Sequence, residues 1–71
     1  MGRMKGETLA NRLKEARTEA GLTQAELADL VGVSRKTVNT VENGVFIPST
    51  VLALKLAQAL GTSVEALFFL E

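Results

Sequence analysis

Two short helical segments joined by a glycine turn, at residues 24–43, constrain the fold of this chain more than any other feature. The first segment begins with Thr23-Gln24-Ala25-Glu26, a capping box in which the threonine hydroxyl bonds the glutamate amide and the glutamate side chain reaches back. Gly32-Val33-Ser34 follows as a tight turn, because glycine allows a positive φ and Ser34 can cap the next helix. Two helices joined by so short a turn are predicted to form a helix-turn-helix.

Helical periodicity and glycine or serine boundaries predict three further helices around this pair. The expected helices cover about residues 7–20, 24–31, 35–43, 50–60 and 64–68. No strand pairing is expected, although residues 68–70 can extend as a short strand. The prediction is an all-α, five-helix architecture in a single domain of residues 1–71, with its core within residues 9–68. Its second and third helices form the helix-turn-helix motif at residues 24–43.

Composition restricts what such a chain can do. The 71 residues include no Cys and no His, which removes disulfides, thiolate metal sites, the commonest metal ligand and the usual general base at neutral pH. The eight acidic residues are scattered along the chain. No apolar run approaches the ~20 residues that a membrane-spanning helix needs. We therefore expect a cytoplasmic protein that is not an enzyme, with no metal, no cofactor, no small-molecule ligand and no membrane contact.

The outer face of the predicted third helix carries only polar side chains, namely Arg35, Lys36, Thr37, Asn39 and Thr40. Arginine and lysine suit guanine edges and phosphates, asparagine suits adenine, and threonine can bond a base or touch a thymine methyl group. Cations are disfavoured near the N-terminus of a helix, so the first two residues are better explained by function than by helix stability. The pattern indicates a helix that reads the major groove of DNA.

The charge balance counts against this interpretation. Eight basic and eight acidic residues give a formal net charge of zero, whereas phosphate attraction supplies much of the affinity of a DNA-binding protein. DNA binding therefore requires the charges to be segregated, and most of the basic residues do lie at or before Lys36. An alternative function is a helix-turn-helix used only as a protein-interaction module, which predicts no salt-dependent DNA binding.

Three motifs in a fixed order carry a family resemblance: Thr23-Gln24-Ala25-Glu26-Leu27-Ala28, then Gly32-Val33-Ser34, then Glu42-Asn43-Gly44. Together they resemble the phage-repressor/Cro-type (Xre-like) helix-turn-helix family, and the likeness extends over about residues 9–68. It is greatest with the short bacterial and archaeal members that consist of this domain alone. The resemblance implies a transcriptional regulator that binds double-stranded DNA, more often as a repressor than as an activator.

The resemblance also implies roles for individual residues. Gln24 is expected to contact phosphate and to reach a base edge, and Asn43 to contact the DNA backbone. Arg17 and Glu42 match a partly buried salt bridge that ties the first helix to the third. The residues expected to contact DNA are Thr23, Gln24, Arg35, Lys36, Thr37, Asn39, Thr40 and Asn43.

Four large apolar residues exceed what one small core needs. Phe46 and Ile47 lie in the connector after the third helix, and Phe69 and Leu70 lie near the C-terminus, whereas Phe68 is assigned to the core. Exposed apolar patches usually mark an interface, so we expect these four residues to form a two-fold dimer interface through the C-terminal segment, with Phe69 and Leu70 central. Such a homodimer would bind a palindromic operator with half-sites ~34 Å apart. The apolar connector also fits an alternative function, the antitoxin of a toxin–antitoxin pair.

Overall fold

The computed structural model describes residues 8–71 and is mostly helical within that range. Its elements in chain order are β1 (Leu9–Asn11), α1 (Leu13–Glu19), α2 (Gln24–Val31), α3 (Arg35–Glu42), α4 (Thr50–Ala59), α5 (Val64–Leu67) and β2 (Phe68–Leu70). The five predicted helices are present, and α2 to α5 have nearly the expected bounds. The predicted start of the first helix at Glu7 lies outside the described residues.

A small sheet corrects the all-α prediction. The strands β1 and β2 are antiparallel, with Leu9 opposite Leu70 and Asn11 opposite Phe68. The amide of Arg12 extends the pairing by donating to the carbonyl of Leu67 at 2.8 Å. The prediction of a helix through β1 was therefore wrong. A three-residue strand is too short to show an alternation of apolar and polar residues, and Leu9 fits an apolar stripe of a helix equally well.

The side chain of Asn11 explains why α1 begins where it does. Its Oδ1 accepts a hydrogen bond from the amide of Leu13 at 3.1 Å, which satisfies one of the free amides at the start of the helix. Its Nδ2 donates to the carbonyl of Val41 at 3.0 Å, at the far end of α3. One side chain therefore ends β1, starts α1 and holds both against α3.

The other four helices each begin at a hydroxyl residue whose side chain accepts a hydrogen bond from the amide three residues on. These caps are Thr23, Ser34, Ser49 and Ser63. The helix α2 ends at Gly32, whose φ of 75° lies in the left-handed region that only glycine adopts without strain. The chain then reverses within three residues into α3, as the glycine and serine signals predict.

A single apolar core holds the helices together. Its buried members are Leu13, Leu27, Ala28, Val31, Val38, Val41, Leu52, Ala53, Leu56, Ala57, Leu67 and Phe68. Val38 and Val41 are each 1% exposed, so one side of α3 is buried in the core. This burial fixes the orientation of α3. Within residues 8–71, none of the helices is both long and apolar enough to cross a membrane.

Candidate nucleic-acid interface

The side of α3 opposite its buried valines forms a continuous polar surface. Arg35, Lys36 and Asn39 are exposed there, and Thr37 and Thr40 are half-buried. We call these five residues the polar face. Nothing in residues 8–71 covers its exposed members, so the arrangement leaves a helix surface with cationic, amide and hydroxyl groups open to a partner.

The two threonines of the polar face are held by local hydrogen bonds. The Thr37 amide donates to the hydroxyl oxygen of Ser34 at 3.1 Å, and the two hydroxyl oxygens lie 3.0 Å apart. The Thr40 hydroxyl donates to the carbonyl of Thr37 at 3.0 Å. These hydroxyls fix the first turns of α3, and their oxygens keep acceptor capacity for a partner.

The N-terminus of α2 lies beside the first residue of α3. Thr23, Gln24, Ala25 and Arg35 all line one shallow depression of about 390 Å³. The first amides of a helix and its positive dipole end attract anions, and a guanidinium adds charge-assisted donors. The depression therefore combines two elements that suit a phosphate group.

Thr23 serves primarily as a helix cap. Its Oγ1 accepts from the amide of Glu26 at 3.0 Å, and its own amide donates to Glu26 Oε1 at 2.8 Å. The bond from the Thr23 amide, with a smaller contribution from its hydroxyl, lowers the pKa of Glu26. The stabilisation that the Glu26 carboxylate contributes to this capping box is therefore present above the pKa that Glu26 has in the unfolded chain. It is lost as the pH falls through the pKa of Glu26 in the folded chain.

Arg17 and Glu42 form an ion pair between α1 and the end of α3. Arg17 Nε lies 2.6 Å from Glu42 Oε2, and the side chains are 13% and 3% exposed. Arg17 Nη1 also donates to the carbonyl of Leu22 at 2.8 Å, and the bond to Glu42 raises the pKa of Arg17. Because its charge is neutralised and its donors are engaged, Arg17 stabilises the position of α3 and adds little free charge to the surface.

A chain of side-chain amides continues from this ion pair onto the polar face. Gln24 Nε2 donates to Glu42 Oε1 and to Asn39 Oδ1, each at 3.1 Å. Asn43 Nδ2 donates to the same Asn39 oxygen at 3.3 Å. The structure therefore joins side chains that the sequence suggested only as separate contacts. No periodicity or motif could reveal these bonds, because they depend on how α2 packs against α3.

Lys55 adds a cation close to the polar face. It lies on α4, yet it lines the same depression of about 300 Å³ as Val33 and Thr37. The sequence alone does not reveal this proximity, because α4 is far from α3 along the chain. With Arg35 and Lys36 it gives three basic residues around one end of α3, so a neutral chain still concentrates positive charge there.

The four apolar residues expected at an interface have different surroundings. Phe46, Ile47 and Leu70 are 47%, 70% and 59% exposed. Phe69 is half-buried, and the guanidinium of Arg12 lies 4.6 Å from the centre of its ring. The first three residues are therefore freely available to a partner, whereas Phe69 is partly covered by its own chain.

An apolar groove of about 370 Å³ lies between the connector and the small sheet. Its apolar lining consists of Leu9, Pro48, Ala53, Leu54, Val64 and Phe68. Leu54 is 50% exposed at this groove and was missed by sequence reasoning, because it lies off the buried stripe of α4. The groove extends the exposed apolar surface from the connector toward the C-terminal strand.

Comparison with known proteins agrees with this geometry. The helix-turn-helix family model matches residues 13–67. The uncharacterized HTH-type transcriptional regulator YgzD of Bacillus subtilis is 41% identical over 63 residues, which cover 89% of this chain and 96% of that protein. An uncharacterized HTH-type transcriptional regulator of Methanothermobacter thermautotrophicus is 47% identical over 60 residues, covering 83% and 87%.

A solved structure shows the same fold. The restriction-modification controller protein C.AhdI of Aeromonas hydrophila aligns with a TM-score of 0.74 and 45% identity, covering 78% of this chain and 83% of that one. The family model spans well over half of the chain, and two relatives that are matched over most of their length exceed 40% identity. The resemblance carried by the capping box, the glycine turn and the Glu42-Asn43-Gly44 motif is confirmed, and the chain belongs to the phage-repressor/Cro-type helix-turn-helix family.

Proposed function

We propose that this protein binds double-stranded DNA sequence-specifically and regulates transcription, as a repressor that covers its promoter. The observation that carries the proposal is the polar face, which α3 presents outward because Val38 and Val41 are buried beneath it. An α-helix fits the major groove, and the residue types of this face match the hydrogen-bonding groups of base edges and phosphates. The names of the relatives as transcriptional regulators support the same function.

In this proposal α2 and α3 are the helix-turn-helix motif, at residues 24–43 of a single domain. Arg35 and Lys36, at the start of α3, read base edges, and Thr37 and Thr40 contribute further contacts. Phosphates are bound at the depression beside the N-terminus of α2 and by Asn43 at the end of α3. Backbone contacts of this kind position the protein, whereas base contacts provide its specificity.

Salt dependence tests whether the chain binds DNA at all. On a mixed-sequence duplex, where neither residue meets its matching base, Arg35 and Lys36 of the two protomers of a dimer neutralise four phosphates, which gives a log–log slope of affinity against salt of about −3.6. The affinity for such a duplex should therefore fall about a hundredfold between 50 and 200 mM salt. Fluorescence anisotropy with a labelled duplex measures this directly. An affinity that does not change with salt would contradict DNA binding and favour the protein-interaction module.

We further propose that the protein acts as a homodimer through the apolar groove and its exposed rim. Phe46, Ile47 and Leu70 lie in the segments that flank the groove, whereas Phe69 does not line it and packs beneath Arg12. Two features favour a second copy as the occupant. A domain of this size gains stability from association, and its zero net charge imposes no long-range repulsion between copies.

Leu54→Lys is expected to convert the dimer into a monomer, because it replaces an exposed apolar side chain of the groove lining with a charged one. Sedimentation velocity at micromolar concentration checks this. Leu30→Lys is the matched control, since Leu30 is 62% exposed on α2 and does not line the groove. The wild type and the control should sediment as dimers. A monomeric wild type, or a dimeric Leu54→Lys, would rule out this interface.

The exposed connector supports a second candidate function, the antitoxin of a toxin–antitoxin pair. Val45 and Ile47 are 77% and 70% exposed directly after α3, a position suited to a second protein that binds beside DNA. The antitoxin function predicts that the chain co-purifies with the product of an adjacent gene. That association should be lost in Ile47→Asp and kept in Leu30→Asp, and loss in neither variant would exclude the connector as the contact.

A further inference from the structure

The direction of the hydrogen bonds across the candidate interface is set by one buried carboxylate. An ionised carboxylate can only accept hydrogen bonds. Glu42 Oε2 accepts a hydrogen bond from Arg17 Nε at 2.6 Å, while Oε1 accepts a longer one from Arg17 Nη2 at 3.3 Å and faces Gln24 at 3.1 Å. The Gln24 atom at this contact must be the amide nitrogen, because its oxygen would place two acceptors against each other. Glu42 thus fixes the orientation of the Gln24 side chain.

Gln24 in turn fixes the orientation of the Asn39 side chain. Its second amide hydrogen is donated to Asn39 at 3.1 Å, so the Asn39 atom at that contact must be the oxygen Oδ1. Asn43 donates to the same oxygen, and two donors fill the two lone pairs of an amide oxygen. Within residues 8–71, Asn39 Nδ2 has no partner, and the residue is exposed on the polar face.

We propose that Glu42, acting through Gln24, makes Asn39 a hydrogen-bond donor toward DNA, an inference that rests on the proposed function. Bidentate recognition of adenine requires the asparagine oxygen to accept from N6 while the nitrogen donates to N7. Here that oxygen is occupied, so Asn39 binds an acceptor alone. The acceptor is a phosphate oxygen or a base acceptor such as guanine O6 or purine N7.

The same arrangement changes the role of Gln24. Both of its amide hydrogens are bound within the protein, so its side chain presents only a carbonyl oxygen outward. A carbonyl oxygen cannot bond a phosphate, and the phosphate contact that the family resemblance implies for the Gln24 side chain passes to another donor. Asn39 supplies the outward hydrogen-bond donor that Gln24 lacks, and Glu42 is a positioning residue for it.

Asn39→Asp tests the donor directly. The aspartate keeps the oxygen that accepts from Gln24 and Asn43, but it replaces the outward N–H donors with a second acceptor. On a duplex selected by the wild type, we expect a loss of about tenfold or more in affinity. Gln58→Glu is the control, because it makes the same amide-to-carboxylate change at an exposed position of α4, outside the candidate interface. It should bind nearly as tightly as the wild type.

Glu42→Gln tests the positioning role without altering any residue that faces DNA. Its amide oxygen stays at the shorter contact with Arg17 Nε, and its NH2 group takes the place of Oε1 and faces Gln24, so the orientations of Gln24 and Asn39 reverse. The longer bond from Arg17 Nη2 to Oε1 is lost. The outward group of Asn39 becomes its oxygen, the same change in polarity that Asn39→Asp produces. Loss of a negative charge would by itself strengthen DNA binding, and the reversed Gln24 side chain turns its NH2 group outward. Binding that is nevertheless weaker is therefore explained by the lost donor of Asn39. Melting curves set a temperature at which every variant is folded.

Comparing the loss of affinity on two duplexes identifies the acceptor on DNA. Equal losses on the selected and on a mixed-sequence duplex indicate a phosphate oxygen, whereas a loss confined to the selected duplex indicates a base. For a base, both variants should shift the selected preference toward the amino groups of adenine or cytosine. If the wild type binds and either variant binds as tightly as Gln58→Glu, the inference is wrong. If the wild type itself does not bind, the proposed function is wrong instead.

Discussion

Glu42→Ala is expected to lower the midpoint of thermal unfolding by at least about 10 °C, since each kcal/mol shifts a domain of this size by roughly 4–8 °C. Removing one partner of a buried ion pair costs about 3–5 kcal/mol, and somewhat less when the pair retains access to water. Arg17 is 13% exposed, so about 2–4 kcal/mol is the appropriate range. The same change leaves Gln24 without one of its acceptors. Circular dichroism during a thermal scan provides the measurement.

Glu19→Ala is the matched control for this variant. Glu19 is an exposed residue in the last turn of α1, where an acidic side chain is unfavourable to the helix dipole. Its removal should leave the midpoint unchanged or slightly raised. Melting curves that coincide for the two variants would show that the ion pair contributes nothing to the stability of the fold.

Arg35→Ala is expected to have the largest effect on DNA binding. A well-placed bidentate contact to a guanine contributes about 1–3 kcal/mol, and the two protomers of a dimer lose one each. The affinity for a selected duplex should therefore fall at least about thirtyfold. The loss on a mixed-sequence duplex should be smaller, because only the charge contribution is shared by all sequences. Anisotropy titrations on the two duplexes measure both.

Arg12→Ala removes the same type of charge away from the polar face. Arg12 lies over the ring of Phe69 beside the small sheet, and its substitution should change affinity only slightly. If Arg35→Ala behaved like this control on the selected duplex, Arg35 would not read a base. Equal losses for Arg35→Ala on both duplexes would instead place Arg35 on a phosphate.

The bounds of α2 and α3 were predictable because their signals are local. The capping box at Thr23, the glycine at position 32 and the cap at Ser34 each act over a few residues, and each is present as predicted. The small sheet was not predictable in this way. The residues of β1 carry no strand pattern of their own, and their conformation depends on pairing with β2 at the other end of the chain.

The candidate interface also has parts that the sequence predicts and parts that only the structure reveals. Val38 and Val41 mark the buried side of α3, so the opposite polar face follows from the sequence alone. The partnership of Arg17 and Glu42 came only from the family resemblance, since residues so far apart along the chain give no spacing signal. The bonds from Gln24 to Asn39 and Glu42 came only from the structure, because they require the packing of α2 on α3.

Selection of bound duplexes from a random-sequence pool at two salt concentrations tests most directly whether the polar face of α3 reads DNA. We expect one enriched motif with two-fold symmetry and half-sites ~34 Å apart. Binding to unselected duplexes should weaken strongly at the higher salt concentration, while the enriched motif is still recovered. A pool that remains random in sequence at both salt concentrations would contradict sequence-specific binding by this chain.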